Sequence, residues 1–514
     1  MNRVIRITLS MALIAIASPI SSQELGTITF PNSGNAAAQA PFIEGVKDLH
    51  SFQFDEAAVA FQRAQQADPT FAMAYWGEAM SHNHPLWAQQ DADAAKKILE
   101  KIAPTSDARQ AKARLPKEKA FLKAIDILYY SPGDKLARDT AYSEALASMY
   151  AQWPTDHEVA TWYALSLLGT VRPTDKGFRR QALAASIAEK VFAENPKHPG
   201  AAHFIIHAFD DPDHAPLGLT AARADAGIAP SAAHALHMPS HIFVQRGMWE
   251  DVRKSNIVAY KSATELNARM KLAEGREDFH TLGWLEYANL MLGNIDEAKA
   301  NLESARQAAA RNPGNAGINN GYLGMRARLI LETGNWERIP LDAPEAPKAP
   351  QAPDHANMPG MAMMPAYGGG SNTWTFIAGY SAAKLGDLAT ADRALKMLTG
   401  ARQKLEGGSN PYAAKPVQVM ENQVAALIAK SGGRADEALM LAKGAMAIEL
   451  ELSAPSGPPD PIKPAPEFYG ELLLEAGRTA EAIAALELSL QRTPNRTPSV
   501  KALARAKSAG TAMP

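Results

Sequence analysis

The chain has 514 residues, of which 46% are hydrophobic and 21% charged, so it can build a large folded core and is excluded from the intrinsically disordered class. Lys and Arg number 52 against 54 Asp and Glu, and a formal net charge of -2 gives no basic field of the kind that favours nucleic acid as a partner. Cysteine is absent, so stability must come from packing or metal rather than from disulfides.

The first 22 residues have the three-part layout of a secretory signal peptide. Arg3 and Arg6 precede an apolar run from Ile7 to Ala17, and small residues follow up to position 22. A membrane anchor is the alternative, but this run is too short to cross ~30 Å of hydrocarbon. We therefore expect export to a bacterial periplasm or beyond, a mature form without a membrane span, and a flexible N-terminal segment over residues 23–40.

Short helical motifs recur along the rest of the chain. The stretch FQFDEAAVAFQRAQQADP at 52–69 has aromatic, Ala and Pro residues at spacings typical of a helix-turn-helix repeat: Phe54, Ala57, Phe61, Ala64 and Pro69. Similar stretches surround Gly293 and begin at Leu385, Gly432 and Ala476. In each, Gly ends one helix and a nearby Ala lets the next helix pack closely.

These motifs resemble the tetratricopeptide-repeat (TPR) family over most of residues 40–510. The resemblance implies an all-α, right-handed superhelical solenoid with a concave groove. It predicts a first solenoid over 41–338, a loop over 339–370 and further repeats over 371–510. Four segments also look like those of exported bacterial TPR proteins that mostly lack an assigned reaction: AYWGEAMSHNHPLW, HPGAAHFIIHAFDDP, HALHMPSHIFVQRGMWEDVRKSN and PPDPIKPAPEFYGELLLEAGR.

The stretch HALHMPSHIF at 234–243 holds His234, His237 and His241, three of only 13 histidines. If Gly247 ends the first helix of a repeat, these histidines occupy positions that line the groove in the family resembled. Their spacings of three and four residues place them on one helix face. Pro239 lies between them and should kink or restart the helix.

Further histidines reach the same groove by the same counting. His203 and His207 are four residues apart, and we expect them beside His237 and His241 if their helix belongs to the preceding hairpin. His280 and His84 also fall at inner-facing positions of their repeats. The alternative is a set of separate histidines that bond backbone carbonyls or cap helix ends.

Converging neutral imidazoles are typical ligands of zinc, copper or iron. We therefore predict a transition-metal site in which His203, His207, His237 and His241 share an ion. The remaining candidate ligands are His84, His234 and His280. Nearby acids that could orient the rings from behind are Asp210, Asp211, Asp278 and Glu78, although these could equally be solvated turn residues.

The predicted loop at 339–370 is rich in Pro, Gly and Met. Its soft side chains suit copper: His355, Met358, Met361, Met363 and Met364. The plainer interpretation is a linker that tolerates Met or packs it against the solenoid, because no fixed spacing supports a site.

Two hypotheses about function remain open at this point. In the first, the solenoid carries a groove-mounted metal site for metal-assisted oxidation or hydrolysis, or for metal handling. In the second, it is an adaptor whose groove binds a protein or peptide, with the histidines as polar groove residues. The sequence contains no His-Glu-x-x-His helix, Gly-x-Ser-x-Gly elbow, phosphate loop or dinucleotide fingerprint.

The signal-peptide prediction is checked by N-terminal sequencing of protein recovered from the periplasmic fraction. We expect a mature chain that begins near Gln23, because cleavage follows the small residues at the end of the leader. A soluble cytoplasmic product that retains Met1 would contradict this localisation.

Overall fold

A computed structural model describes residues 23–172, 175, 177–342, 370–408 and 410–511. Within these ranges the chain is an all-α superhelical solenoid in which consecutive helices pack as antiparallel hairpins. The expected signal peptide at 1–22 lies outside the described residues. None of the helices in the described ranges combines the length and apolar character needed to cross a bilayer.

The N-terminal part contains nine helices and one short strand pair. The helices are α1 Ala36–His50, α2 Phe54–Ala67, α3 Ala72–Met80, α4 Ala92–Glu100, α5 Ser106–Gln110, α6 Pro116–Tyr130, α7 Lys135–Gln152, α8 His157–Gly169 and α9 Arg179–Glu194. Strands β1 (Asn83–His84) and β2 (Gln89–Gln90) pair antiparallel around a 3-10 turn at Pro85–Trp87.

The middle part holds the histidine-rich segments. Its helices are α10 Pro199–Ala208, α11 Ala215–Ile228, α12 Ala233–His237, α13 Pro239–Gln245, α14 Trp249–Met270, α15 Glu277–Leu292, α16 Ile295–Arg311 and α17 Ala316–Thr333. The α15–α16 hairpin turns at Gly293, whose φ of +81° is a left-handed conformation that glycine adopts without steric cost.

The C-terminal part continues the array. Its helices are α18 Ser371–Lys384, α19 Leu388–Glu406, α20 Ala414–Ser431, α21 Ala435–Glu451, α22 Ala465–Glu475, α23 Thr479–Arg492 and α24 Thr497–Thr511, with a 3-10 turn at Pro411–Ala413. Trp374 donates its indole N–H to the carbonyl of Pro340 (3.0 Å), which fixes the start of the loop between α17 and α18. Residues 343–369, including the Met-rich copper motif, lie outside the described residues.

The N-terminal segment differs from the expected flexible chain over 23–40. Residues 23–34 are extended, with Leu25 and Phe30 buried, and the amide of Thr27 donates to the carbonyl of Lys197 (2.8 Å). Helix α1 already begins at Ala36. Burial of apolar side chains explains the ordering, because Phe30 joins the aromatic core of the first hairpins.

The C-terminal repeats pack back onto the middle of the chain. The indole N–H of Trp249 donates to the carbonyl of Asn495 (2.8 Å), and the Asn495 side chain donates to the carbonyl of Gly247 (3.0 Å). Arg496 is buried and donates to the hydroxyl of Tyr287 (3.1 Å). These contacts join the turn before α24 to the turn before α14 and to α15.

Close helix packing within a hairpin depends on Gly77 of α3. A Cβ atom at this position would lie 2.2 Å from the ring of Phe61 in α2, and both residues are buried. Since Phe61 also packs on Phe42 of α1, the ring has little room to move away.

We therefore expect Gly77→Ala to lower the free energy of unfolding by about 1–3 kcal/mol, as overpacked cores do. Gly400→Ala is the matched control, because a Cβ there meets nothing within 4 Å and alanine should stabilise α19 by roughly 0.5–1 kcal/mol. Urea unfolding of both variants measures the difference. Equal stability of the two would contradict the packing at Gly77.

Candidate metal centre

Three successive hairpins bring six histidines together. Helices α10, the α12–α13 pair and α15 are the first helices of hairpins completed by α11, α14 and α16. The histidines form two groups of three, and within each group one nitrogen atom from each ring lies within 4.8 Å of the other two. We call these groups the first triad (His203, His207 and His234) and the second triad (His237, His241 and His280).

The four histidines expected to share one ion are therefore divided between two triads. His203 and His207 lie one turn apart on α10, with their Nε2 atoms 3.0 Å apart. His237 and His241 make the same kind of pair, with Nε2 atoms 3.1 Å apart. The expected break at Pro239 is present: α12 ends at His237 and α13 begins at the proline. Both histidines nevertheless keep one face, because Met238 between them stays in the helical region.

His280 and His234 complete the two triads. The Nε2 atom of His280 on α15 lies 2.9 Å from that of His237. The ring of His234 lies 5.1 Å from that of His203, centroid to centroid. Its Nε2 atom is buried and lacks a hydrogen-bond partner among the described residues.

The two triads are direct neighbours. Ring centroids lie 5.6 Å apart between His207 and His241, and 6.2 Å apart between His234 and His237. One continuous cluster of six imidazoles therefore spans three hairpins of the solenoid.

The Nδ1 atoms of four of these rings face oxygen acceptors. His203 Nδ1 lies 2.6 Å from the carbonyl oxygen of His50, and His241 Nδ1 lies 2.7 Å from Asp210 Oδ2. His237 Nδ1 lies 2.7 Å from Asn256 Oδ1. The amide group of Asn256 donates to a backbone carbonyl on its own helix, so its oxygen is the atom that faces the ring. The fourth contact joins His234 Nδ1 to Glu277 Oε1 at 3.3 Å.

These acceptors determine which ring nitrogen carries the hydrogen. A carbonyl or carboxylate oxygen cannot donate, so Nδ1 of His203, His237 and His241 must be the donor. A neutral imidazole has only one N–H group. In the neutral form of these three rings, Nε2 therefore carries a lone pair. When both rings are neutral, the Nε2 atoms of His237 and His241 face each other at 3.1 Å with two lone pairs and no hydrogen between them. A cation placed between two such lone pairs relieves their repulsion, and metal-bound histidines are oriented in this way by oxygen partners behind them.

Four rings of the cluster are held neutral. Burial lowers the pKa of His203, His207, His237 and His280 well below the usual value of 6.5, and repulsion among neighbouring imidazoles lowers it further. Burial alone would raise the pKa of Glu277, but the adjacent His234 outweighs it and the pKa is lowered. These four rings therefore present neutral nitrogens, and an ionised carboxylate lies at the edge of the cluster.

Aromatic side chains wall the cluster on two sides. The ring of Phe52 lies 4.3 Å from that of His203 and 5.4 Å from that of His234. Phe52 has a φ of +54°, which costs a non-glycine residue on the order of 1–3 kcal/mol and is typical of functional sites. Trp284 lies 4.7 Å from the ring of His241 on the side of the second triad. These walls limit water contact with the imidazole rings.

A third group lies behind the first triad and is of a different kind. Glu158 accepts from His50 Nε2 (2.9 Å) and His198 Nε2 (3.2 Å), and all three are buried. Burial alone would raise the pKa of Glu158, but the two histidines hold it at about 2. The two contacts to Glu158 each pair a donor with an acceptor, whereas His50 Nδ1 is buried without a hydrogen-bond partner among the described residues. Glu158 fixes His50, whose carbonyl orients His203.

Histidine 84 is not brought into either triad. Helix α3 ends at Met80, and His84 lies in β1. Pro85 disfavours a helical conformation at His84, the residue before it. Its ring stacks on Phe54 at 4.0 Å, and its Nε2 lies 3.3 Å from the carbonyl of Ser81. Burial lowers the pKa of His84 to about 4. The expectation that it faces the other histidines is wrong.

Among the acids expected to orient the rings, only Asp210 does so. Asp211 pairs with His214 (2.8 Å) at the start of α11. Asp278 accepts from the backbone amide of Arg276 (2.7 Å) at the start of α15. Glu78 accepts from two glutamines of α2. These three carboxylates form hydrogen bonds with nearby groups and therefore do not contact the histidine rings of the cluster.

Sequence reasoning missed Glu277, Asn256 and the carbonyl of His50. A signal existed for Glu277, which is three residues before His280 and hence on a shared helix face. Asn256 sits on the second helix of its hairpin, and the His50 carbonyl belongs to α1, far away in the chain. Neither has a local sequence signature.

Comparisons with known proteins bear on the fold alone. A search against protein-family models finds no match, and a search against curated proteins finds none either. Among solved structures, yeast Tom70 is similar at 12% identity over 92% of this chain and 96% of that chain, with a TM-score of 0.37. Human IFIT1 with PPP-AAAA is similar at 11% identity over 92% and 91%, with a TM-score of 0.36. These neighbours are TPR proteins, but their scores are too low to support any argument about function.

The buried neutral rings predict an acid-labile fold. The unfolded chain protonates its histidines near pH 6.5, whereas the native cluster resists protonation, so the free energy of unfolding falls as pH drops below ~6.5. Each such histidine contributes about 1.4 kcal/mol per pH unit. We expect His207→Gln, measured without metal, to reduce this slope by about one proton. The slope is compared with that of His157→Gln, whose ring lies outside the cluster in a more exposed contact with Glu194. Identical slopes in both variants would contradict the assignment.

Proposed function

We propose that this chain is a TPR-type metal-binding protein whose six-histidine cluster holds two transition-metal ions, one in each triad. The ions serve metal-dependent catalysis or metal handling. This revises the expectation of a single ion shared by His203, His207, His237 and His241, because those four residues belong to different triads.

The observation that carries the proposal is the contact between His237 and His241. Their Nε2 atoms lie 3.1 Å apart, while Nδ1 of each ring donates to the oxygen of Asn256 or Asp210. Two buried lone pairs at this distance repel each other, and a shared cation turns the repulsion into coordination. His280 Nε2, 2.9 Å from His237 Nε2, supplies a third ligand.

The ligand set narrows the choice of ion. Each triad offers imidazole nitrogens only, which suit zinc, copper or iron, whereas magnesium and calcium prefer oxygen ligands. Three protein ligands leave a coordination position open, as catalytic and transfer sites require. Purely structural zinc sites normally use four protein ligands.

Export is part of this proposal, supported by the layout of residues 1–22. An adaptor that binds a protein or peptide remains the second candidate, because TPR-type solenoids commonly bind such partners in their groove. Beside the second triad, however, the chain fills this space itself. Gln245 donates to the carbonyl of Pro455 (2.7 Å), and Gly457 lies so close to Trp284 that a Cβ would be 2.5 Å from its ring.

Metal analysis tests the proposal directly. Purified protein is supplied with copper, zinc or iron in turn, and we expect two ions of the preferred metal per chain. His241→Ala should lose at least one ion and the associated thermal stabilisation, since metal at 100 times its dissociation constant adds about 2.7 kcal/mol. Asp210→Asn keeps the ligand but loses the carboxylate behind it, and should weaken binding about 10–100-fold.

His157→Ala is the matched control, because His157 is partly exposed and pairs with Glu194 outside the cluster. It should bind both ions as the parent does. His198 is unsuitable as a control because it is buried against Glu158. Equal metal content in the parent, His241→Ala and His157→Ala proteins would refute the site. Absence of stoichiometric metal from the parent would favour the adaptor.

A further inference from the structure

The charges and surroundings of the cluster point to a specific metal and co-substrate. We propose that the two triads hold a pair of copper(I) ions that reduces dioxygen to peroxide. This inference rests on the proposed two-ion site and adds the identity of the ions and the class of substrate.

The charge of the ligand shell favours monovalent ions. Imidazoles that bind metal through a lone pair contribute no charge, and among the described residues the carboxylates hydrogen-bonded to these rings include Asp210, on His241, and Glu277, on His234. Both carboxylates are largely buried. Two copper(I) ions balance these two negative charges, whereas two divalent ions would leave a buried excess of two positive charges. Uncompensated buried charge is strongly unfavourable.

The same balance survives reaction with dioxygen. Each copper(I) loses one electron and becomes copper(II), and the O–O unit gains both electrons and becomes peroxide. The added charge of the metals equals the charge gained by the oxygen, so the buried cluster stays neutral. If peroxide leaves, it takes up two protons from solvent as hydrogen peroxide. A single turnover needs no other reductant.

The spacing of the triads allows one small molecule to contact both ions. The ring centroids of His207, in the first triad, and His241, in the second triad, lie 5.6 Å apart. Two-metal sites that share a ligand hold their ions on the order of 3.5–4 Å apart. Three imidazoles per ion leave the bridging position open.

An apolar cavity adjoins the cluster and suits an apolar gas. Phe52 borders both, since its ring contacts His203 and its side chain also lines the cavity. The other walls are mostly apolar and include Met80, Trp162 and Leu165. Apolar cavities stay dry and take up small apolar molecules, so dioxygen would partition into this space in preference to water.

The experiment loads the full-length protein with copper(I) under anaerobic conditions and then mixes it with oxygenated buffer. We expect one dioxygen consumed for every two copper ions, measured with an oxygen electrode. The oxidised protein should give far less than two copper(II) spins by electron paramagnetic resonance, because bridged ions pair their spins. Full-intensity signals from two isolated copper(II) ions, or no oxygen uptake, would overturn the inference.

Variants separate the copper pair from its parts. His280→Ala should keep copper in the first triad and lose oxygen uptake, whereas His157→Ala should retain both ions and full uptake. Leu165→Phe narrows the cavity and should slow uptake without changing copper content. Uptake that persists in His280→Ala would show that one ion is sufficient and would refute the pair.

The outcomes also distinguish this inference from the proposed function. Two zinc or iron ions per chain, with copper rejected, would leave the metal site intact and overturn the copper chemistry. Binding of no metal would overturn both.

Discussion

The structure of this region depends on where each buried imidazole places its single hydrogen. His203, His237 and His241 commit Nδ1–H to a carbonyl, an amide oxygen and a carboxylate, respectively. In the neutral rings their Nε2 atoms then carry lone pairs, and those of His237 and His241 face each other. Around Glu158, by contrast, the Nε2–H groups of His50 and His198 both donate to a carboxylate. This contrast is the main physical support for the proposed metal site.

A solenoid of helical hairpins places the histidine pairs side by side through its regular packing. Spacings of four residues align pairs on α10 and across α12–α13, and stacking of successive hairpins sets the pairs side by side. Pro239 breaks the helix between His237 and His241 without moving them off one face. The oxygen partners come from other layers: His50 from α1, Asn256 from α14 and Glu277 from α15. Long-range packing therefore positions the ligands more firmly than any single helix could.

The sequence was sufficient for the fold class and for much of the cluster because both are periodic. The repeats predict helical hairpins, and two pairs of histidines at a four-residue spacing predict shared helix faces. The residues that hydrogen-bond the Nδ1 atoms of the rings do not recur with any such period. Asp211 and Asp278 form hydrogen bonds at the starts of α11 and α15. His84 precedes a proline and lies in β1. The partner of His203 is the backbone carbonyl of His50, which side-chain patterns cannot reveal. Division of the histidines into two triads likewise depends on the packing of α15 against α12, which no local pattern encodes.

The buried carboxylate behind the first triad, Glu158, has a clear geometric role. A buried carboxylate with polar partners is weak evidence for added stability, because the cost of its desolvation offsets much of the attraction. Its two partners nevertheless fix the ring and backbone of His50, and Gly200 on α10 approaches that ring so closely that a Cβ would be 2.4 Å from Nδ1. This contact sets how near α10 lies to α1, and hence where the His50 carbonyl meets His203. The strained φ of Phe52, two residues later, belongs to the same turn and aims an aromatic ring at the triad. Hydrogen bonding, close packing and backbone strain thus all act on the orientation of one histidine, His203.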